Sequence, residues 1–432
     1  MKKIASYALG CKVNQYESEA IAELFAEKGY EVVSVDDEAD VYIINTCTVT
    51  NFGDKKSRQL IRKVKRQNEN AIVAVVGCYA QTAPEELAAV HGVNLVIGTK
   101  DKSKIVELVE DYQAEQGVQN YVTDIMHERV FEPLEIKKLA NRTRAYLKIQ
   151  DGCSQFCSYC IIPYARGPIR SRQPEDVIAE VKRLAENGFK EVVLTGIHVA
   201  SYGKDLKTIT LTDIIRQVHD VEGIERIRFS SIEPNVVTEE FAAAMAELPK
   251  VCDHFHLSLQ SGCDKTLKEM NRKYDTEKYR QAAALLRKYL PDVAITTDII
   301  VGFPGETEED YQASRAFAEE IGFSKIHVFP YSPKKGTPAA ARKDQLQNAV
   351  KQARSHDLIT VSDRMTDAFL QKHVGKVMPV LFERCIGDDV YEGHTTNYMK
   401  VHARSTKDLS NVIADTKILS VAEEMAFGEV EA

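Results

Sequence analysis

Residues 151–172 read DGCSQFCSYCIIPYARGPIRSR, with cysteines at 153, 157 and 160 and no fourth nearby. The C-x3-C-x2-C spacing puts three thiolates on one short loop, enough to hold three corners of an iron–sulfur cube while the fourth iron stays open. An open metal position binds something, whereas a structural site is closed. Closure by Cys252, Cys263 or a distant histidine fits less well, because structural zinc normally shows paired C-x2-C spacings. A second triplet is dispersed. Cys11, Cys47 and Cys78 follow the apolar runs IASYAL, VYIINT and AIVAVVG, and ligands gather beyond the carboxyl ends of strands in an open parallel sheet. Any one of these alone reads as a small buried hydrophobe, but three at equivalent positions point to a shared site. Cys252, Cys263 and Cys385 lack such placement and are expected to be free buried thiols.

The surrounding pattern supplies the elements that must position these groups. The chain has 432 residues, 44% of them hydrophobic and 28% charged, which divides into about three globular units. Nine cysteines, an odd number, fit a reducing compartment in which clustered thiols are ligands rather than disulfides. No apolar run approaches the roughly 18 residues of a membrane span, so a cytoplasmic protein without a membrane partner is expected. A net charge of −8 argues against a protein that coats nucleic acid and confines such contacts to local patches.

Residues 2–113 alternate buried strand runs with helical patterns, which predicts an open parallel α/β domain. Residues 114–142, including EPLEIKKLANRTR, lack a period and read as a linker. Over 143–370, AYLKIQ, EVVLTG, RIRFSS, HFHLSL, AITTDIIVGF and KIHVFP are six strands separated by helices, a partial (β/α)6 barrel. Residues 371–432 turn to short β-rich runs, which predicts a small β-barrel.

CSQFCSYC resembles the signature of the radical S-adenosylmethionine (SAM) enzymes. With IIPYARGPIRSR behind it and LGCKVNQYESE, INTCTVT and VVGCYAQ ahead of it, nearly the whole chain is similar to the methylthiotransferase family. GHTTNYMKV is similar to the TRAM module, a nucleic-acid-binding barrel. The resemblance implies that Cys153, Cys157 and Cys160 hold a 4Fe-4S cluster whose open iron is chelated by SAM. An electron from that cluster cleaves SAM to a 5′-deoxyadenosyl radical. It implies also that Cys11, Cys47 and Cys78 hold an auxiliary 4Fe-4S cluster that carries the sulfur to be inserted, while a second SAM gives the methyl group. No catalytic residue beyond these ligands is implied. Tyr159, between two of the ligands, Gly196 in TGIHVA and Gln260 in LSLQSG are the expected SAM contacts. An electron donor such as flavodoxin or ferredoxin and a sulfur source are implied partners.

Members of that family act on an adenosine beside the tRNA anticodon, carrying an isopentenyl or a threonylcarbamoyl group on N6, or on a ribosomal-protein aspartate. The GCKVNQ form resembles the threonylcarbamoyl type, so tRNA is the expected partner and C2 of that base at position 37 the expected target. KKSRQLIRKVKR, residues 55–66, carries seven basic and no acidic residues on a predicted helix, a phosphate track or a solvated face. Arg166, Arg170 and Arg172 are expected to meet phosphate or a substrate carboxylate, or else to brace the cluster loop. The tail 371–432 has seven Lys and Arg against ten Asp and Glu, a balance of −3, so its RNA recognition rests on few contacts or on shape. A two-cluster electron-transfer protein would show four cysteines per cluster. A radical SAM methylase would not need the N-terminal triplet.

Overall fold

The chain is described by a computed structural model covering residues 1–136 and 143–431. Its first sheet is parallel and takes β1 (Lys3–Ala8), β2 (Glu31–Val32), β3 (Val41–Thr46), β4 (Ile72–Gly77), β5 (Leu95–Val96) and β6 (Gln119–Asn120) in the order β2-β1-β3-β4-β5-β6. β3 is buried along its whole length, as a central parallel strand with both faces covered must be. Tyr42 and Ile44 face one core, shared with Ile61 and Val64 of the helix α2 (Asn51–Gln67). Val41 and Ile43 face the other, shared with Ile21 and Phe25 of α1 (Lys12–Glu27). The expected strands and helices of this part are present. β2 and β6 escaped the sequence reading because two residues are too few to show a period.

Part of the stretch read as a linker is thus structured. β6 extends the first sheet, and Leu134 and Ile136 pack on Tyr16 and Ala20 of α1. The rest of that reading, residues 137–142, lies outside the described residues.

All six strands read for the central part occur, as β7 (Arg144–Asp151), β9 (Glu191–Gly196), β10 (Arg226–Phe229), β11 (His254–His256), β12 (Ala294–Val301) and β13 (Lys325–Pro330). β8 (Arg170–Ser171) adds a short antiparallel edge beside β7. The sheets β10-β9-β7-β8 and β11-β12-β13 are joined by parallel bridges at Ile227↔Val251 and Ile232↔Leu257, so six parallel strands curve into a barrel that does not close. One helix, Asn348–Gln371, packs on β13.

The C-terminal strands β14 (Val377–Gly387), β15 (Val390–Thr395), β16 (Lys400–Arg404), β17 (Val412–Ala422) and β18 (Met425–Val430) form a closed barrel in the order β14-β15-β16-β18-β17. It sits against the starting ends of the central strands. Arg226 donates to the carbonyls of His394 and Pro379, each at 2.8 Å, and Arg228 to those of Thr395 and Thr396 at 2.7 and 2.8 Å. Tyr398 from the barrel stacks on His254 with ring centroids 4.9 Å apart.

Candidate functional site

The sheet order decides where the dispersed cysteines go. β1, β3 and β4 are adjacent, with Ala8 opposite Asn45 and Thr46 opposite Gly77, so Cys11, Cys47 and Cys78 leave three neighbouring strands at the same edge. Cys11 caps the start of α1 and Cys78 is the first residue of a short helix, Cys78–Thr82. Gly10 has φ +97°, and a Cβ there would lie 2.7 Å from Cys47 Sγ, so only glycine lets the Cys11 turn approach Cys47. Asn14 donates to the carbonyls of Leu9 and Thr46, at 2.8 and 3.1 Å, and clamps two of the three turns together.

The compact triplet lies on the loop after β7. Cys153 N–H donates to Gly167 O and Cys160 N–H to Cys157 O, both at 3.0 Å, and Ser158 N–H donates to Met270 O at 3.0 Å. Gly152, at φ +73°, packs so close to Pro168 that a Cβ would meet its carbonyl at 1.8 Å. All three cysteines line a cavity of about 1160 Å3, and Cys11 lines it from the first sheet. Tyr159 and Gly196 also line it. Gln260 does not: its φ of 72° breaks the strand alternation that would have aimed it at the mouth, while its backbone stays paired with Asp298 and Ile300. A Cβ on Gly196 would meet Gln150 at 2.9 Å, so packing against Gln150 already requires glycine there.

None of the cysteines among the described residues is in a disulfide. Burial pushes the thiol of Cys153 up to about 11 and those of Cys47 and Cys160 up to about 12, and it raises Cys11 as well. Burial of this kind disfavours a free thiolate unless a partner charge or a metal holds it. A metal removes those protons outright, and three thiolates on one loop are the donor set of an iron–sulfur cube with one open corner. On that chemistry Cys153, Cys157 and Cys160 fit such a cluster.

Each triplet also has one buried arginine. Arg272 Nη1 donates to Cys157 Sγ at 3.2 Å and is held by Glu233 at 2.8 Å. Burial would raise the Glu233 carboxyl, but His198 and Arg272 outweigh it and hold it below the usual range. Arg166 Nε donates to Cys78 Sγ at 3.2 Å, and its Nη atoms reach Glu17 at 2.6 and 3.1 Å and Asn14 at 2.6 Å. Glu17 is fully buried and also takes Lys102 and Lys148, each at 2.7 Å. Burial opposes its charge, but Arg166, Lys102 and Lys148 together hold the carboxyl well below the ordinary range.

Of the two roles expected for Arg166, Arg170 and Arg172, the structure shows bracing. All three are buried: Arg170 donates to the carbonyls of Arg166 and Pro168, and Arg172 pairs with Glu180. Arg170 is spent on the loop's own carbonyls, Arg166 on the first domain and Arg172 on Glu180, so none of them reaches out to phosphate. Cys252 is buried as expected, whereas Cys263 is half-buried and Cys385 is exposed, beside an irregularity in the β14–β15 register.

Arg272, Glu17 and Glu233 were not singled out from sequence, and Lys12 was read only as part of GCKVNQ. They lie far in the chain from what they touch, or beside a louder cysteine. A signal did exist for another group: period-two alternation in HFHLSL puts His254 and His256 on one face of a strand. His256, Asp298 and His327 have ligating atoms within 4.8 Å of one another on the cavity wall, a donor set suited to a divalent ion.

Residues 147–318 match the Radical SAM superfamily, and residues 3–98 match Uncharacterized protein family UPF0004. The threonylcarbamoyladenosine tRNA methylthiotransferase MtaB of Bacillus subtilis (strain 168) is 45% identical over 424 residues, 97% of this chain and 94% of its own. The tRNA-2-methylthio-N(6)-dimethylallyladenosine synthase of Thermoanaerobacter sp. (strain X514) is 37% identical over 98% of this chain and 91% of its own. Among solved structures, the radical S-adenosylmethionine methyltransferase TsrM from Kitasatospora setae is similar with a TM-score of 0.57 at 17% identity, over 79% of this chain and 77% of that one. Identity at this level across almost the entire length, on a chain that carries the superfamily's cysteine loop, places the protein in the radical SAM methylthiotransferase family, whose members use SAM and a 4Fe-4S cluster.

Proposed function

We propose that the protein modifies tRNA, transferring a methylthio group to C2 of N6-threonylcarbamoyladenosine at position 37. One observation carries this reading: the wall of the cavity that holds Cys153, Cys157 and Cys160 also holds Cys11, a member of a second triplet. In this reading the first three cysteines hold the SAM-binding cluster, and Cys11, Cys47 and Cys78 hold a second 4Fe-4S cluster. The bound cofactors would supply one-electron cleavage of SAM to a hydrogen-abstracting radical, and the second cluster would carry the sulfur to be inserted.

The chain's own residues do the rest. Arg272 and Arg166 offset the charge of the thiolates they touch. Tyr159 borders the space left for SAM. Residues 2–113 carry the second cluster, 143–370 the radical chemistry and 371–432 the tRNA-binding barrel, with 114–142 joining the first two. Lys55, Lys56, Arg62, Lys63 and Arg66 are exposed along α2 and offer a phosphate track on an acidic protein. A flavodoxin- or ferredoxin-type donor supplies electrons, and sulfur comes from a separate source.

The deciding measurement is mass spectrometry of tRNA nucleosides from cells lacking the gene. The 2-methylthio derivative of threonylcarbamoyladenosine should vanish and its precursor accumulate. Loss of the isopentenyl-type product instead would move the substrate to that of the dimethylallyladenosine relatives.

A separate prediction tests the ligand assignment. Gly10→Ala forces a Cβ against Cys47 at positive φ, so the reconstituted protein should lose about half its iron, one cube of two. SAM cleavage without RNA should persist. Full iron retention would show that the Cys11 and Cys47 turns need not approach.

A further inference from the structure

We propose that Lys12 is the residue that reads the carboxylate on the N6 substituent of the substrate. This rests on the threonylcarbamoyl reading above, and it adds the group that recognises what distinguishes that base.

A balance of charge along the cavity wall points to it. The lysines and arginines lining the cavity are Lys12, Arg272, Lys325 and Lys400. Arg272 is paired with Glu233 at 2.8 Å, Lys325 with Glu424, and Lys400 with Glu392 at 3.5 Å. Among the described residues Lys12 has no ion pair and no hydrogen bond from its ammonium. Its ring contact is Tyr146, 5.7 Å from Nζ to the centroid, and Arg144, Arg228 and Glu191 are its charged neighbours. On the same wall Glu233 is paired with Arg272 and Glu424 with Lys325, and Asp298 faces the His256 imidazole at 3.3 Å. Among the described residues Lys12 is therefore the lining cation without a carboxylate partner, and it complements an anion.

Its position fits the chemistry of the base. Lys12 directly follows Cys11 on the first turn of α1 and is exposed to the cavity. C2 of an adenine is separated from C6, which bears the N6 group, by N1 alone. A base whose C2 lies between the SAM cysteines and Cys11 must therefore carry its N6 substituent close by, within reach of a lysine on that turn. An anion there gains a charge-assisted hydrogen bond, whereas an isopentenyl group would leave the ammonium unmatched beside apolar surface.

The test uses the reconstituted full-length enzyme and two anticodon stem-loop RNAs: one with the threonylcarbamoyl acid, one with the same group as its neutral carboxamide. The wild type should prefer the acid. Lys12→Met should lower kcat/KM for the acid on the order of 10- to 100-fold and for the amide less than about 3-fold, with Lys12→Arg retaining most of the preference. Iron content and RNA-free SAM cleavage should stay at wild-type values. An equal loss on both RNAs would assign Lys12 to a backbone phosphate. A raised KM for SAM with unchanged acid preference would assign it to the SAM carboxylate. Should Lys12→Met shed iron, the wild type's own acid preference and its persistence in Lys12→Arg decide, and a wild type indifferent to the acid overturns the inference. A wild type that methylthiolates the isopentenyl RNA and neither test RNA would overturn the substrate reading, and this inference with it.

Discussion

Cys78→Ala is expected to abolish the methylthio product, by at least about 10³-fold, while leaving SAM cleavage intact. Cys78 belongs to the triplet at the edge of the first sheet, and its removal should cost about four of about eight irons, one cube of two. Cys157→Ala should remove the other cube and abolish SAM cleavage and product together. The two variants thus separate radical generation from sulfur insertion, and iron analysis, EPR and assays of 5′-deoxyadenosine and of modified RNA read both. If Cys78→Ala kept its full iron and its product, the two-cluster mechanism would be sunk. The placement behind this expectation is that Cys78 meets Arg166, a residue of the segment following the Cys153 loop, so the two triplets are separate yet mechanically joined.

The largest effect on stability is expected at Glu17. This side chain is fully buried and faces Lys102, Lys148 and Arg166, with Asp151 the other carboxylate of the cluster, 2.6 Å from Lys148. Glu17→Ala leaves three buried cations to share Asp151, and breaking a buried ion network by removing one partner costs about 3–5 kcal/mol. Chemical denaturation followed by circular dichroism should show a transition at much lower denaturant, or the protein should fail to accumulate in soluble form. A shift worth less than about 1 kcal/mol would mean that water or rearrangement compensates, and that the cluster does not hold the first sheet to the barrel. Because Arg166 also touches Cys78 and Asn14, the same variant should lose iron from the second site first.

How much of this was legible depends on the range over which each feature acts. The loop Cys153–Cys160 is local: its spacing states three ligands and an opening, and the structure places all three on one cavity. The strands VYIINT and EVVLTG were readable because a buried parallel strand is apolar on both faces and has sharp ends. The strand β5 shrank to two residues, and β6 was missed, since such short pairs are fixed by their neighbours rather than by their own pattern. Three arginines after the cluster loop carried an open choice between ligand and brace. Sequence could not close it, because the partners of Arg166 and Arg172, Glu17 and Glu180, come from two other helices.

The sequence by itself determined the cysteine arithmetic and the succession of a parallel sheet, a partial barrel and a small β-barrel, which are written in short-range periodicity and spacing, and it carried the family through the motifs that resemble it. Only the tertiary structure decided that β3 lies between β1 and β4, which gathers Cys11, Cys47 and Cys78 at one edge. It alone decided that Arg272, 115 residues along the chain, donates to Cys157, and that Lys12 lines the cavity without a carboxylate partner among the described residues. Strand order and charge pairing depend on contacts between residues distant in the chain, and no local pattern encodes which acid a given base will meet.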